Sequence, residues 1–299
     1  MKRRIWITIC IVIVVMLGGE IYLRKSWGFC DTVLIQSDPD FEYIAQPNQK
    51  HYRFRKYVLY NEYCQRSESV DSSAFIILGL GDSVINGGTL TDQDSLATTR
   101  LSKSLTQLLQ RKVQVLNISA GSWGPDNCEA YLKRYGAFNA KIAFLLCSSH
   151  DAHDNINHQS VVDVNPSFPS SQYHIAYWEL LHRYLLPRLL RQKTPSEISK
   201  DGKSFNLGFQ QLINRFKVEN IPFFIWLHPD RTELVNENYN EEGTLIIDFC
   251  ENNSIHCIKG LDYMDIQDYR DEIHVNEKGQ KKNTKILLDY LISLIDNKL

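Results

Sequence analysis

From residue 74 onward the chain alternates short apolar runs with longer segments whose apolar residues recur at helical spacing. The runs are 74–80 (AFIILGL), 113–116, 142–147 (IAFLLC), 222–227 (PFFIWL) and 255–258. Continuous apolar runs of this length suit strands buried on both faces, since half-exposed strands alternate. Helices are expected over 96–110, 126–137, 205–219 and 243–252, with 277–299 closing the chain. Strands alternating with helices of that length imply an α/β fold, a parallel sheet covered by helices on both faces.

Two stretches break the rhythm. Residues 26–70 are polar, aromatic and turn-rich, punctuated by Asp38-Pro39 and Gln46-Pro47-Asn48. They read as an N-terminal extension packed on a domain that occupies 71–299. Within that domain, 151–201 carries prolines and an aromatic helix over 173–190, the pattern of an insertion or lid. Tyr173, Tyr177, Trp178 and Tyr184 on that helix are candidates to stack on sugars, although at this spacing some must be core.

The first 25 residues differ again. Lys2, Arg3 and Arg4 precede an apolar run from Ile5 to Gly19, followed by Glu20. A basic stretch before an apolar run reads as a signal peptide or a signal anchor. The run is short for a span of about 20 residues unless it continues past Glu20 to Leu23. No small-x-small cleavage site follows, which favours an uncleaved anchor. The basic residues then stay cytoplasmic and the remaining chain lies in the periplasm or outside the cell; if the segment is cleaved, the same body is secreted.

A net charge of −2 with no basic stripe gives no footprint for nucleic acid, and 43% hydrophobic with 23% charged residues is ordinary for a packed globular body. Of the seven cysteines, none has the neighbours of a catalytic thiol and no CxxC occurs, so metal binding through sulfur is not expected. Cys30 with Cys64 is the most plausible disulfide, and Cys147 reads as a small buried hydrophobe.

The chemistry gathers where the strands end. Ligands of parallel sheets bind beyond the carboxyl ends of the strands. There the sequence places Gly81-Asp82-Ser83, then Asn117 through Gly121 to Gly124, then Ser148-Ser149-His150-Asp151, then His228-Pro229-Asp230. Asp271-Glu272-Ile273-His274 stands just before the last helix. A serine, a histidine and an aspartate at one crevice can serve as nucleophile, base and orienting carboxylate. Taken alone, the Gly-Asp-Ser junction also reads as a capped turn, the two glycines as turn geometry, and Asp-x-x-His as a surface cap. A dinucleotide loop is disfavoured, because the third glycine is missing and Asp82 would repel a pyrophosphate. Asp151, His153 and Asp154 fit no standard metal-ligand spacing, so no metal or other cofactor is expected.

Together, Gly81-Asp82-Ser83, the glycine turn after the second strand and Asp271-x-x-His274 resemble the SGNH/GDSL hydrolases over roughly 74–285. The resemblance implies a flavodoxin-like three-layer α/β/α sandwich and hydrolysis of esters, often acyl esters on carbohydrates or lipids. It implies Ser83 as nucleophile, with Asp271 and His274 completing the triad. The oxyanion donors would be the N–H groups of Ser83 and of Gly121 or Gly124. The family's third donor is an asparagine in a Gly-x-Asn-Asp context, and here that position is His150. A neutral imidazole keeps one N–H and can substitute. Ser122 stands where the family often has glycine. Ile85 replaces the last glycine of GxSxG, against an α/β-hydrolase elbow. The expected activity is hydrolysis of an ester, an O-acetyl group above all, on an extracytoplasmic carbohydrate. An O-acyltransferase with the same triad and a non-catalytic glycan-binding relative are the alternatives. The expected partners are the acylated carbohydrate or another small ester, and the membrane through the N-terminal helix.

Overall fold

The computed structural model describes residues 2–190, 198, 200 and 202–296. The end of the expected closing helix and most of 191–201 lie outside the described residues. A long helix, α1 (Lys2–Trp27), comes first, followed by two antiparallel hairpins, β1 (Ile35–Asp38) with β2 (Glu42–Ala45) and β3 (Gln49–Arg53) with β4 (Lys56–Tyr60). The central sheet then runs through β5 (Phe75–Gly81), α2 (Ser83–Asn86), α3 (Ala97–Leu109), β6 (Val113–Ser119), α4 (Pro125–Tyr135) and β7 (Ile142–Ser148). The insertion carries α5 (Ala176–Glu179), a π-helical turn at Leu180–Leu185 and α6 (Leu186–Leu189). After it come α7 (Gly208–Val218), β8 (Phe223–His228), α8 (Arg231–Asn236), α9 (Glu241–Asn252), β9 (Cys257–Lys259) and α10 (Glu277–Asp296).

The sheet is five-stranded, wholly parallel and ordered β6-β5-β7-β8-β9. The expected three-layer α/β/α sandwich is therefore the observed fold, in the flavodoxin-like order. Chain direction across the sheet reverses after β6, so the crevice opens beside β5. Successive strand residues point to opposite faces. Ile76, Leu78 and Leu80 pack with Leu132, Phe209 and Ile246 on one face, while Ile77 packs with Leu101, Leu287 and Leu291 on the other. All seven residues of β6 and of β7 are buried, which explains their unbroken apolar runs. Register aligns the carboxyl ends, with Gly81 opposite Ser119 and Leu146, and Ser148 opposite His228.

Phe41, Tyr43, Ile44 and Cys64 from the 26–70 segment join the core on the Leu80 face. Cys30 and Cys64 are both free thiols, contrary to the disulfide expected between them. Cys64 is buried beside Gln36, whereas the Cys30 N–H donates to Glu179 in the insertion, so the two serve different neighbourhoods. The insertion is fastened rather than loose. Arg53 and Glu179 form an ion pair with side chains 1% and 0% exposed, and Arg53 also donates to the Tyr184 hydroxyl at 2.8 Å. This corrects part of the sugar-stacking expectation: Tyr184 is taken up by Phe29, Phe54 and Arg53, and Tyr177 packs on Gly19 of α1.

Candidate active site

The turn between β5 and α2 requires its glycine. Gly81 has φ +151°, and an added Cβ would lie 2.3 Å from the Leu146 carbonyl oxygen. No L side chain tolerates that approach without moving a neighbouring strand. Asp82 then caps α2, its carboxylate accepting from the Val84 N–H at 2.8 Å, and Ser83 opens the helix.

Asp271 and His274 come from a tight loop before α10. Tyr269 bridges to Val275, and the Arg270 N–H donates to the His274 carbonyl at 2.9 Å. Inside the loop, Asp271 Oδ1 accepts from the backbone N–H of His274 at 2.8 Å and of Ile273 at 3.1 Å. The loop is tied down from outside as well. Arg270 reaches the Thr91 hydroxyl at 3.0 Å, the Tyr269 hydroxyl donates to the Pro229 carbonyl, and His228 Nε2 donates to the Ile273 carbonyl at 2.8 Å.

These constraints bring the three residues together. His274 Nε2 lies 2.9 Å from Ser83 Oγ, and His274 Nδ1 lies 2.9 Å from Asp271 Oδ1. Burial raises the Asp271 pKa, but hydrogen bonds from His274 and Ile273 and the imidazole beside it outweigh that and hold it below the usual carboxylate value. An ionised Asp271 accepts from Nδ1–H, which leaves Nε2 as the nitrogen that accepts from the Ser83 hydroxyl.

The glycine turn resolves into two unequal parts. Gly121 lines the cavity beside Ser83, and its carbonyl accepts from the Tyr43 hydroxyl at 2.8 Å. Gly124 is committed elsewhere: its N–H donates to Asn127 Oδ1 at 2.8 Å, and an added Cβ would meet the Asp154 carbonyl oxygen at 2.0 Å. Gly124 is thus a helix cap and a close-packing position, which removes it from the expected oxyanion donors. Ser122 has φ +57°, the left-handed conformation that favours glycine.

His150 sits in the turn after β7, where Asp151 fixes the strand end by accepting from the Ser148 N–H at 2.7 Å. Its Nε2 lies 3.6 Å from Asp82 Oδ2 and 3.8 Å from Asp154 Oδ2. Burial lowers its pKa, but Asp151, Asp82 and Asp154 raise it further, to about 10. These carboxylates favour the protonated imidazole over the neutral form considered from the sequence. Asp82, His150 and Asp151 bring possible ligand atoms within 4.8 Å of one another. Asp82 and Asp151 already cap backbone N–H groups, and the His150 imidazole lies against Asp82 and Asp154.

A cavity of about 240 Å³ adjoins Ser83, walled by Tyr43, Tyr60, Asn86, Gly121, Phe168 and Arg183. Of these only Gly121 had been singled out for the oxyanion site. Tyr43 and Tyr60 come from the hairpins and Arg183 from the insertion, segments whose sequence holds aromatic residues but no motif. His228, seen in the sequence only as a polar strand end, is fully buried, stacks on Tyr269 and orients the His274 loop.

No family model matches the chain, and no curated protein matches it. Solved structures do. It is similar to the psychrotrophic esterase EstA from Pseudoalteromonas sp., at 12% identity, 74% of this chain, 99% of that one and a TM-score of 0.41. It is similar to TesA at 13% identity, 72% and 97% coverage and a TM-score of 0.46. A carbohydrate acetylesterase family member from Sinorhizobium meliloti shares 12% identity over 72% and 96%, with a TM-score of 0.38.

Proposed function

We propose that this chain is a serine esterase of the SGNH/GDSL type. The observation that carries the reading is the relay from Ser83 Oγ to His274 Nε2 and from His274 Nδ1 to Asp271, each link 2.9 Å long. A serine hydroxyl attacks poorly until a base takes its proton. His274 accepts that proton as Ser83 Oγ bonds to the ester carbonyl carbon. The resulting imidazolium is stabilised by Asp271 and then protonates the departing alcohol, leaving an acyl-Ser83. Water attacks the acyl group, His274 takes the water's proton, and Ser83 leaves with that proton restored.

The tetrahedral oxyanion calls for donors that are fixed in advance. Ser83 N–H and Gly121 N–H supply two. His150 supplies the third as a cation: both ring nitrogens carry protons, and with Nε2 toward Asp82 and Asp154 the Nδ1–H is its remaining donor. The cavity is smaller than the roughly 300–1,000 Å³ of drug-sized ligand sites, which suits a short acyl group. The substrate is an O-acetyl ester on an extracytoplasmic carbohydrate. The apolar helix α1 is the anchor that holds the body outside the cytoplasmic face, supported by an 18-residue window of mean hydropathy 2.3 within Arg3–Trp27, none of it buried. Turnover of p-nitrophenyl acetate by the full chain, lost in folded Ser83→Ala, tests the esterase reading. Equal turnover by both proteins overturns it.

A further inference from the structure

The insertion helix is inside out. On a surface helix the apolar stripe faces the core and charged residues face water. Here Glu179 and Arg183 point inward, 0% and 13% exposed. Ile175, Trp178, Leu181, Leu185, Leu189 and Leu190 point outward, between 37% and 73% exposed. From Trp178 the spacing is three, four and four residues, one continuous face across α5, the π-helical turn and α6. An apolar face of this kind marks a surface that something covers.

Its position says what covers it. The helix is bound to one particular level of α1. Glu20 accepts from the N–H groups of Ala176 and Tyr177, at 2.8 Å and 3.2 Å, so it caps the start of α5. Arg24 donates to the His174 carbonyl, and Gly19 leaves room for Tyr177, whose hydroxyl an added Cβ would meet at 1.7 Å. The one acidic residue that interrupts the apolar run of α1 is thus the cap of the insertion helix. At about 1.5 Å per residue, Ile5 to Glu20 covers roughly 23 Å of a hydrocarbon core about 30 Å thick. With Ile5 at one edge, Glu20 therefore lies about 7 Å below the far boundary between acyl chains and headgroups, and the start of the insertion helix is bound at that level. Trp178 beside Tyr173 and Tyr177 matches the aromatic composition of that boundary.

We propose that residues 175–190 form an interfacial helix that lies in the surface of the bilayer crossed by α1, with its apolar stripe in the lipid. The proposal rests on the reading of α1 as a membrane anchor. It gives the insertion a purpose other than that of a mobile lid. Arg183 lines the Ser83 cavity from the inner face of this helix, so the cavity and the lipid lie on opposite sides of one helix.

The test uses the full chain in phosphatidylcholine vesicles, with and without bromine on the upper acyl chains. Emission of the Trp6→Phe protein minus that of the Trp6→Phe/Trp178→Phe protein isolates Trp178. An interfacial helix buries its apolar face about 5–10 Å deep, so brominated lipid should reduce this difference signal at least twofold, while aqueous iodide barely changes it. Leu185→Trp in the doubly substituted protein should repeat the result from the same face. Quenching by iodide and not by bromolipid overturns the proposal. Shielding from both also overturns it, in favour of a second copy covering the stripe. Release of the chain from membranes by alkaline carbonate would instead overturn the anchor reading, an outcome separate from the quenching.

Discussion

Two histidines stand at the carboxyl edge of the sheet, each beside carboxylates, in contrasting surroundings. His274 meets one carboxylate, Asp271, through Nδ1, and its Nε2 is left facing Ser83. His150 turns Nε2 toward two carboxylates, Asp82 and Asp154, with Asp151 next to it, and its pKa rises to about 10. One arrangement leaves a ring nitrogen within hydrogen-bond reach of a serine hydroxyl. The other surrounds the ring with carboxylates that favour its protonated form, in the turn after β7. Histidine at an active site is therefore not one role, and the number of carboxylates around each ring separates the two.

The largest effect expected from breaking this contrast is on the His274 side. Ser83→Ala or His274→Ala should each lower kcat by roughly 10⁴–10⁶, with the double variant little worse, because the residues act as a unit. Steady-state kinetics on p-nitrophenyl acetate, with circular dichroism to confirm folding, measures this. Additive losses in the double variant would separate the two residues mechanistically.

Next is His150→Ala, for which a kcat loss of about 10²–10³ with nearly constant KM is expected, the size of one oxyanion donor. His150→Asn should recover part of it through a neutral N–H. A change confined to KM would place His150 on the substrate instead. The charge also has a stability consequence. Its folded pKa lies above the unfolded value near 6.5, so protonated His150 stabilises the fold fully below that pH. The contribution is lost as pH rises toward about 10. The urea midpoint of wild type should exceed that of His150→Asn most near pH 6 and converge toward it at pH 10.

How much of this was legible in the chain depended on burial and on distance along it. The sheet could be read because strands such as β6 and β7 are buried on both faces and so are apolar without interruption. The hairpins could not, because β1 (IQSD) and β3 (QKHYR) are short, polar and partly exposed. Asp271 and His274 were readable as a local pair. The surroundings of His150 were not, since Asp82 reaches it from the end of another strand, and only the strand order makes them neighbours. The insertion helix was visible by its aromatic residues, but periodicity does not say which face turns inward, and Glu179 and Arg183 took the inner one.

A third histidine gives the smallest effect. His228 is buried and neutral, donating through Nε2 to the Ile273 carbonyl, and burial pushes its pKa down to about 4. A depressed histidine pKa means the unfolded chain binds the extra proton, so stability is lost as pH falls from about 6.5 to about 4. The difference amounts to about 3 kcal/mol at most. Denaturant titrations at pH 7 and pH 4.5 should show this loss reduced in His228→Gln, which keeps a donor without the titration. An identical loss in both proteins would assign the acid sensitivity elsewhere.

The central claim is that Ser83 is a nucleophile activated by His274. Treatment of the full chain with a fluorophosphonate, followed by intact-mass and peptide analysis, tests it most directly. The account predicts one phosphonyl adduct on Ser83, no adduct in Ser83→Ala and labelling slowed by orders of magnitude in His274→Ala. An adduct on another residue, or labelling of Ser83 at an unchanged rate without His274, would contradict it.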